Sequence, residues 1–195
     1  ANALGINGTI SFGGGTLQWG NVTTDLSSRF STVGGQAFNL DTGANNVTFA
    51  TAITNTAGTL TKNGSGTLQL AGATNSLSSI TINSGTLRGG NNANTFGGNA
   101  TIYLNGGALT FFTDNDVHGN YTNNDLVVQN NSTLHNRDSG ASSQTYFKFG
   151  NLTIGSNTLD VTANSDSVAA LITITKNTTL SGNATINVVG ANNTL

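Results

Sequence analysis

The feature that most restricts what this 195-residue chain can fold into is a short two-strand phrase that returns at solenoid spacing. One copy runs Ile80-Thr81-Ile82, turns at Asn83-Ser84-Gly85 and resumes as Thr86-Leu87. The next runs Thr101-Ile102-Tyr103-Leu104, turns at Asn105-Gly106-Gly107 and resumes as Ala108-Leu109. Leu126-Val127-Val128 with Ser132-Thr133-Leu134, Leu152-Thr153-Ile154 with Asn157-Thr158-Leu159, and Ile172-Thr173-Ile174 with Thr178-Thr179-Leu180 continue it at intervals of roughly 20 to 26 residues. Ala184-Thr185-Ile186 and Asn193-Thr194-Leu195 open a further copy. We therefore expect a single β-helical segment over residues 1–195, part of a longer chain.

Leu and Ile at alternate positions point to one side of a strand, and the intervening Thr to the other. One such rung cannot bury its own apolar side. A second rung stacked ~4.8 Å away covers it and pairs its backbone. The expected fold is thus all-β, a right-handed parallel β-helix with Gly at positive-φ corners. Composition agrees: charged residues are only 7% and proline is absent, so every residue has an N–H to give to a ladder. Stacked like charges repel, whereas stacked Asn or Thr hydrogen-bond along the axis. An antiparallel β-sandwich is the structural alternative, but hairpins do not require one phrase at solenoid intervals. A transmembrane barrel needs strands of about ten residues with aromatic girdles, and aromatics are 7% here.

Between Gly58 and Leu87 the phrase takes a more specific form. Gly58-Thr59-Leu60-Thr61-Lys62-Asn63-Gly64-Ser65-Gly66-Thr67-Leu68-Gln69-Leu70-Ala71-Gly72 is followed by Ile80-Thr81-Ile82-Asn83-Ser84-Gly85-Thr86-Leu87. This closely resembles the autotransporter-associated β-strand repeat, through Gly64, Gly66, Thr67, Leu68, Leu70, Gly72, Ile80, Ile82, Gly85, Thr86 and Leu87. The sequence departs from that pattern at Asn75-Ser76-Leu77-Ser78-Ser79, where an aromatic and Gly-Gly-Thr stretch is usual. Residues 36–90 carry the best match, since Gln36 to Ala52 is similar to the strand pair that precedes the repeat. The resemblance implies a passenger region of a bacterial surface or secreted protein, associated with the outer membrane through its own membrane-translocator domain. It also implies a role in export and folding outside the cell.

The chain carries few groups suited to chemistry. All eight acidic residues are Asp. The densest group is Asp114-Asn115-Asp116-Val117-His118, with Asp125, His135 and Asp138 expected on the following rung. Asp114, Asp116 and His118 form the candidate loop site, for Ca²⁺ or for the clustered acids of a polysaccharide-acting β-helical enzyme. Their spacing fits no calcium-loop motif, so a polar connection between rungs is the simpler expectation. There is no Gly-x-Ser-x-Gly elbow, and Gly13-Gly14-Gly15 precedes a strand and not a helix, which makes it a corner and not a phosphate cradle. No catalytic residue and no cofactor is assigned. Tyr146-Phe147-Lys148-Phe149 is a candidate glycan patch or, more simply, core. Trp19 is expected to pack near the first rungs. The sequons at Asn46, Asn99 and Asn151 arise readily in so Asn- and Thr-rich a chain.

The net charge of -2, with Lys62, Arg88, Arg137, Lys148 and Lys176 scattered, offers no stripe for nucleic acid. No run of about 18 apolar residues is present. The absence of cysteine leaves the redox compartment open. The leading expectation is an extracellular structural scaffold or spacer that is not an enzyme. Its connections over 114–124 and 136–144 are candidate adhesive loops for a glycan or host surface. A self-associating filament or matrix subunit is the alternative.

Overall fold

The computed structural model of the chain describes residues 4–90, 95–113, 119–138, 144–163, 169–189 and 193–194. The strands are β1 (Gly13–Gln18), β2 (Ala37–Asp41), β3 (Val47–Phe49), β4 (Thr59–Asn63), β5 (Thr67–Leu70), β6 (Ser79–Ile82), β7 (Thr86–Gly89), β8 (Thr101–Asn105) and β9 (Ala108–Thr113). They continue as β10 (Gly119–Tyr121), β11 (Leu126–Asn130), β12 (Ser132–Asp138), β13 (Gln144–Phe149), β14 (Leu152–Ile154), β15 (Thr158–Ala163), β16 (Ala169–Ile174), β17 (Thr178–Leu180), β18 (Thr185–Val189) and β19 (Asn193–Thr194). One 3-10 turn, Ser27–Arg29, is the helical element among the described residues.

All pairings between these strands are parallel, and they build a β-solenoid of about six turns. The first sheet runs β1-β2-β4-β6-β8-β11-β14-β17, and the second runs β3-β5-β7-β9-β12-β15-β18. The phrases between Ile80 and Leu159 each supply one strand to each of these two walls, with the Gly or Asn corner between them, whereas Ile172–Ile174 lies in β16 of a separate sheet and Thr178–Leu180 is β17 of the first wall, followed in the second wall by β18. In the first sheet Phe38, Leu60, Ile80, Ile102, Leu126 and Leu152 are successive register partners. Their numbers give steps of 22, 20, 22, 24 and 26 residues. All six are buried, because strand alternation turns them inward while Thr61, Thr81 and Thr153 face out.

A third wall is less legible in the sequence. It becomes a regular sheet, β10-β13-β16-β19, only in the later rungs. Before that it consists of isolated bridges at Ile10–Phe30 and Thr54–Ser76. Buried asparagines take the place of a ladder there. Asn75 accepts the Ile53 N–H at 2.6 Å and donates to the Thr95 carbonyl. Asn55 accepts from the Gln36 N–H at 3.3 Å and donates to Val33 and Ser31 carbonyls at 2.6 and 3.3 Å. Such groups must be satisfied inside a core, and an amide satisfies backbone on two rungs together.

The interior is one continuous apolar column. It holds two aromatic clusters, Phe12, Trp19, Phe30, Phe38 and Phe49 near one end and Phe96, Phe111, Tyr121, Phe147 and Phe149 further along. Phe147 and Phe149 are buried, so the Tyr146–Phe149 segment mainly fills the core. Trp19 packs on Phe49 of the second rung, where it was expected. The expected loops are shorter than the sequence suggested. Gly119–Tyr121 is strand β10, and Asn136, placed at the start of a loop, lies buried inside strand β12. Asn136 replaces the Phe of the preceding rung, since its register partner is Phe111, and so masks the strand's inward alternation.

Candidate functional site: the stacked repeat corner

The residues of the repeat phrase converge on the corner between the first and second sheets. Leu68, Leu70, Ile80, Ile82 and Leu87 supply its core side, each no more than 1% exposed. Thr67 and Thr86 are register partners facing outward at the start of the second sheet. Backbone bonds tie successive corners together: Gly66 N–H donates to the Gly43 carbonyl at 2.8 Å, and Thr86 N–H to the Gly66 carbonyl at 3.1 Å. The glycines follow from this closeness. A side chain on Gly66 would collide with the Asn45 backbone, and one on Gly72 with that of Ala52. Gly85 has φ +62, and a Cβ there would meet the carbonyl oxygens of Gly64 and Gly66.

Lys62, one of the scattered cations, points inward, register partner to Leu40 and Ile82, and is fully buried; its burial is what the sequence did not show. Its ammonium donates to the carbonyls of Asn63 and Gly64, both at 2.8 Å, and of Ser84 at 3.2 Å. A lysine stem serves as apolar filler and its three N–H donors suit a turn whose carbonyls converge. Burial lowers its pKa to about 8, opposed by the nearby Asp41 carboxylate. The available signal was its position: Lys62 stands at an inward alternate place between Leu60 and the corner.

Outside the corner runs a polar ladder. Asn83 donates to Asn63 Oδ1 at 2.8 Å, Asn105 to Asn83 Oδ1 at 2.9 Å, and Asn130 to Asn105 Oδ1 at 2.8 Å. At the rung above Asn63, its register partner Asp41 accepts from Gln18 Nε2 at 2.8 Å. A second ladder begins at Asp125, whose Oδ1 accepts the Asn151 N–H at 2.8 Å and its side-chain amide at 3.0 Å. Those backbone and side-chain bonds, with Lys176 adding a smaller attraction, hold the Asp125 carboxyl below its ordinary pKa.

The candidate loop residues Asp114, Asp116 and His118 lie outside the described residues. Of the groups considered with them, Asp125 belongs to the ladder just described, and His135 Nδ1 lies 2.7 Å from Thr162 Oγ1 on the next rung. Of the sequons, Asn46 accepts from the Thr67 N–H at 3.3 Å and Asn151 is held by Asp125, while Asn99 is exposed. Chemically the corner is a hydrogen-bonding device that joins successive rungs, and the Lys62 ammonium is enclosed by carbonyls.

Fold and corner together define a parallel β-solenoid whose repeat phrase is a stacking element. Comparison of the chain with protein-family models, with curated proteins and with solved structures returns no match.

Proposed function

We propose that this chain is an extracellular structural β-solenoid, a scaffold or spacer in the passenger region of an autotransporter-like surface protein, without catalytic activity. The observation that carries this reading is that the whole repeat phrase, from Gly64 to Leu87, is engaged in joining one rung to the next. A sequence whose recognisable residues all serve stacking specifies length along an axis. Function then comes from regular extension and from whatever the connections between rungs present.

Two further features support the location. Outward positions carry mostly hydroxyls and amides, with few charges such as Arg88, Lys148 and Asp160, a surface that stacks at ~4.8 Å with little repulsion. Partial structures can form rung by rung, which suits a chain that folds as it emerges from its own membrane-translocator domain.

Imaging of the full-length protein tests the reading. Rod-like particles are expected, with protease treatment of intact cells removing the segment from the surface. Compact particles, or a segment shielded from protease until the cells are lysed, would overturn it.

A further inference from the structure

The edge of the second sheet at β3 is covered in an unusual way. Among the described strands, only β5 pairs with β3, so its other side faces the segment Trp19–Ser27. That segment contains no strand. Trp19 is 3% exposed, with its ring centroid 5.7 Å from that of Phe49, the last residue of β3. Its indole N–H donates to the Thr24 carbonyl at 2.9 Å and bends the segment back on itself. Asp25 then divides its carboxylate: Oδ2 accepts the Ala50 N–H and Oδ1 the Ser27 N–H, each at 2.8 Å. Ser27, itself buried, accepts the Thr51 N–H on its Oγ at 3.1 Å. Asn45 donates to the carbonyls of Trp19 and Gly20 and fastens the other side.

An open strand edge is a template on which another chain adds a strand. Here the donors of Ala50 and Thr51, immediately after β3, are taken by side-chain oxygens, one of them a carboxylate. A covering layer of this kind takes the two donors that follow β3 without presenting a new ladder of its own. We infer that Trp19–Ser27 is an edge cap, a device that denies β3 to an added strand from a second copy of this chain or from an extended peptide. An added strand at this end meets Asp25 and the Trp19 loop where it would pair with β3, while β1 of the first sheet, paired among the described strands only with β2, lies outside the cap. Arg29 reinforces the arrangement by donating to the carbonyls of Leu4, Gly5 and Gly8 at 2.6, 3.3 and 2.8 Å, which holds residues 4–8 against the same end.

The test opens the cap. In the unaltered chain the Ala50 and Thr51 amides are expected to be protected in hydrogen exchange, and a labelled peptide of residues 66–72, the phrase that forms β5, should not bind. The double variant Asp25→Ala/Ser27→Ala, with its circular dichroism unchanged, should lose that protection and bind the peptide at least about tenfold more tightly. Trp19→Phe, which keeps a ring on Phe49 and removes only the indole N–H, should show the same changes more weakly. Unprotected Ala50 and Thr51 amides in the unaltered chain would overturn the inference, whether or not the variants fold. So would a folded double variant that neither binds the peptide nor self-associates.

Discussion

Asn83 donates its side-chain amide to Asn63 Oδ1, one rung back, at 2.8 Å, and its own Oδ1 accepts from Asn105 at 2.9 Å. A central residue of the ladder therefore joins three turns outside the core, at the point where strands of the first sheet meet the corner. Asn83→Ala removes both bonds. At about 1 kcal/mol net for each bond, a loss of about 2 kcal/mol is expected. The check is the midpoint of urea unfolding, which should fall without a change in slope; an unmoved midpoint would show the ladder to be ornamental.

Lys62 predicts an unusual alkaline behaviour. Its pKa is lowered in the folded chain to about 8 from the ordinary 10.5. Between those values the unfolded chain binds more protons, so stability rises as pH increases through this window and levels above it. Tyr121 acts oppositely, since burial raises its pKa to about 12 from 10.0, partly offset by hydrogen bonding with Thr95. Its contribution is present below pH 10 and is lost as pH climbs toward 12. Stability followed from pH 7 to 12 should therefore rise and then fall. Lys62→Met should abolish the rise and Tyr121→Phe should reduce the fall; a Lys62→Met profile that kept the rise would refute the assignment.

Gly85→Ala forces a left-handed φ of +62 on a residue with a side chain, and drives its Cβ into two backbone carbonyls. At least about 2 kcal/mol of destabilisation is expected. Gly98→Ala is the control, because nothing lies within 4 Å of its Cβ position, and a change within about 0.5 kcal/mol is expected there. Equal losses at the two sites in thermal unfolding would contradict the corner geometry.

In the third wall Gly119 and Phe147 are register partners, and the rings of Tyr121 and Phe147 together occupy the space a side chain on Gly119 would need. Gly119→Ala should overpack the column, at a cost of about 1–3 kcal/mol. Phe147→Leu removes the planar ring from the second aromatic cluster, where it stacks on Phe111 at 4.2 Å. In a double-mutant cycle the combined variant should lose less than the two single losses together. Strict additivity would mean that the two positions do not share the space.

The sequence by itself determined the two regular walls. Inward Leu and Ile and outward Thr alternate with the two-residue period of a strand, a local property, and Ile80-Thr81-Ile82 with Thr86-Leu87 displays it without knowledge of any partner. It also determined the corner glycines at 64, 66 and 85, because a tight turn marks itself in composition. Only the tertiary structure decided what stacks on what, since rung length varies and each pairing depends on residues about 20 or more positions away. That is why the burial of Lys62 shows only once its three carbonyl partners are assembled, and why the amides of Asn55 and Asn75 are seen to replace a ladder inside the third wall only in the structure. The corner was thus legible as a shape, while the burial of its lysine and the cover over β3 depend on neighbours that strand periodicity does not specify.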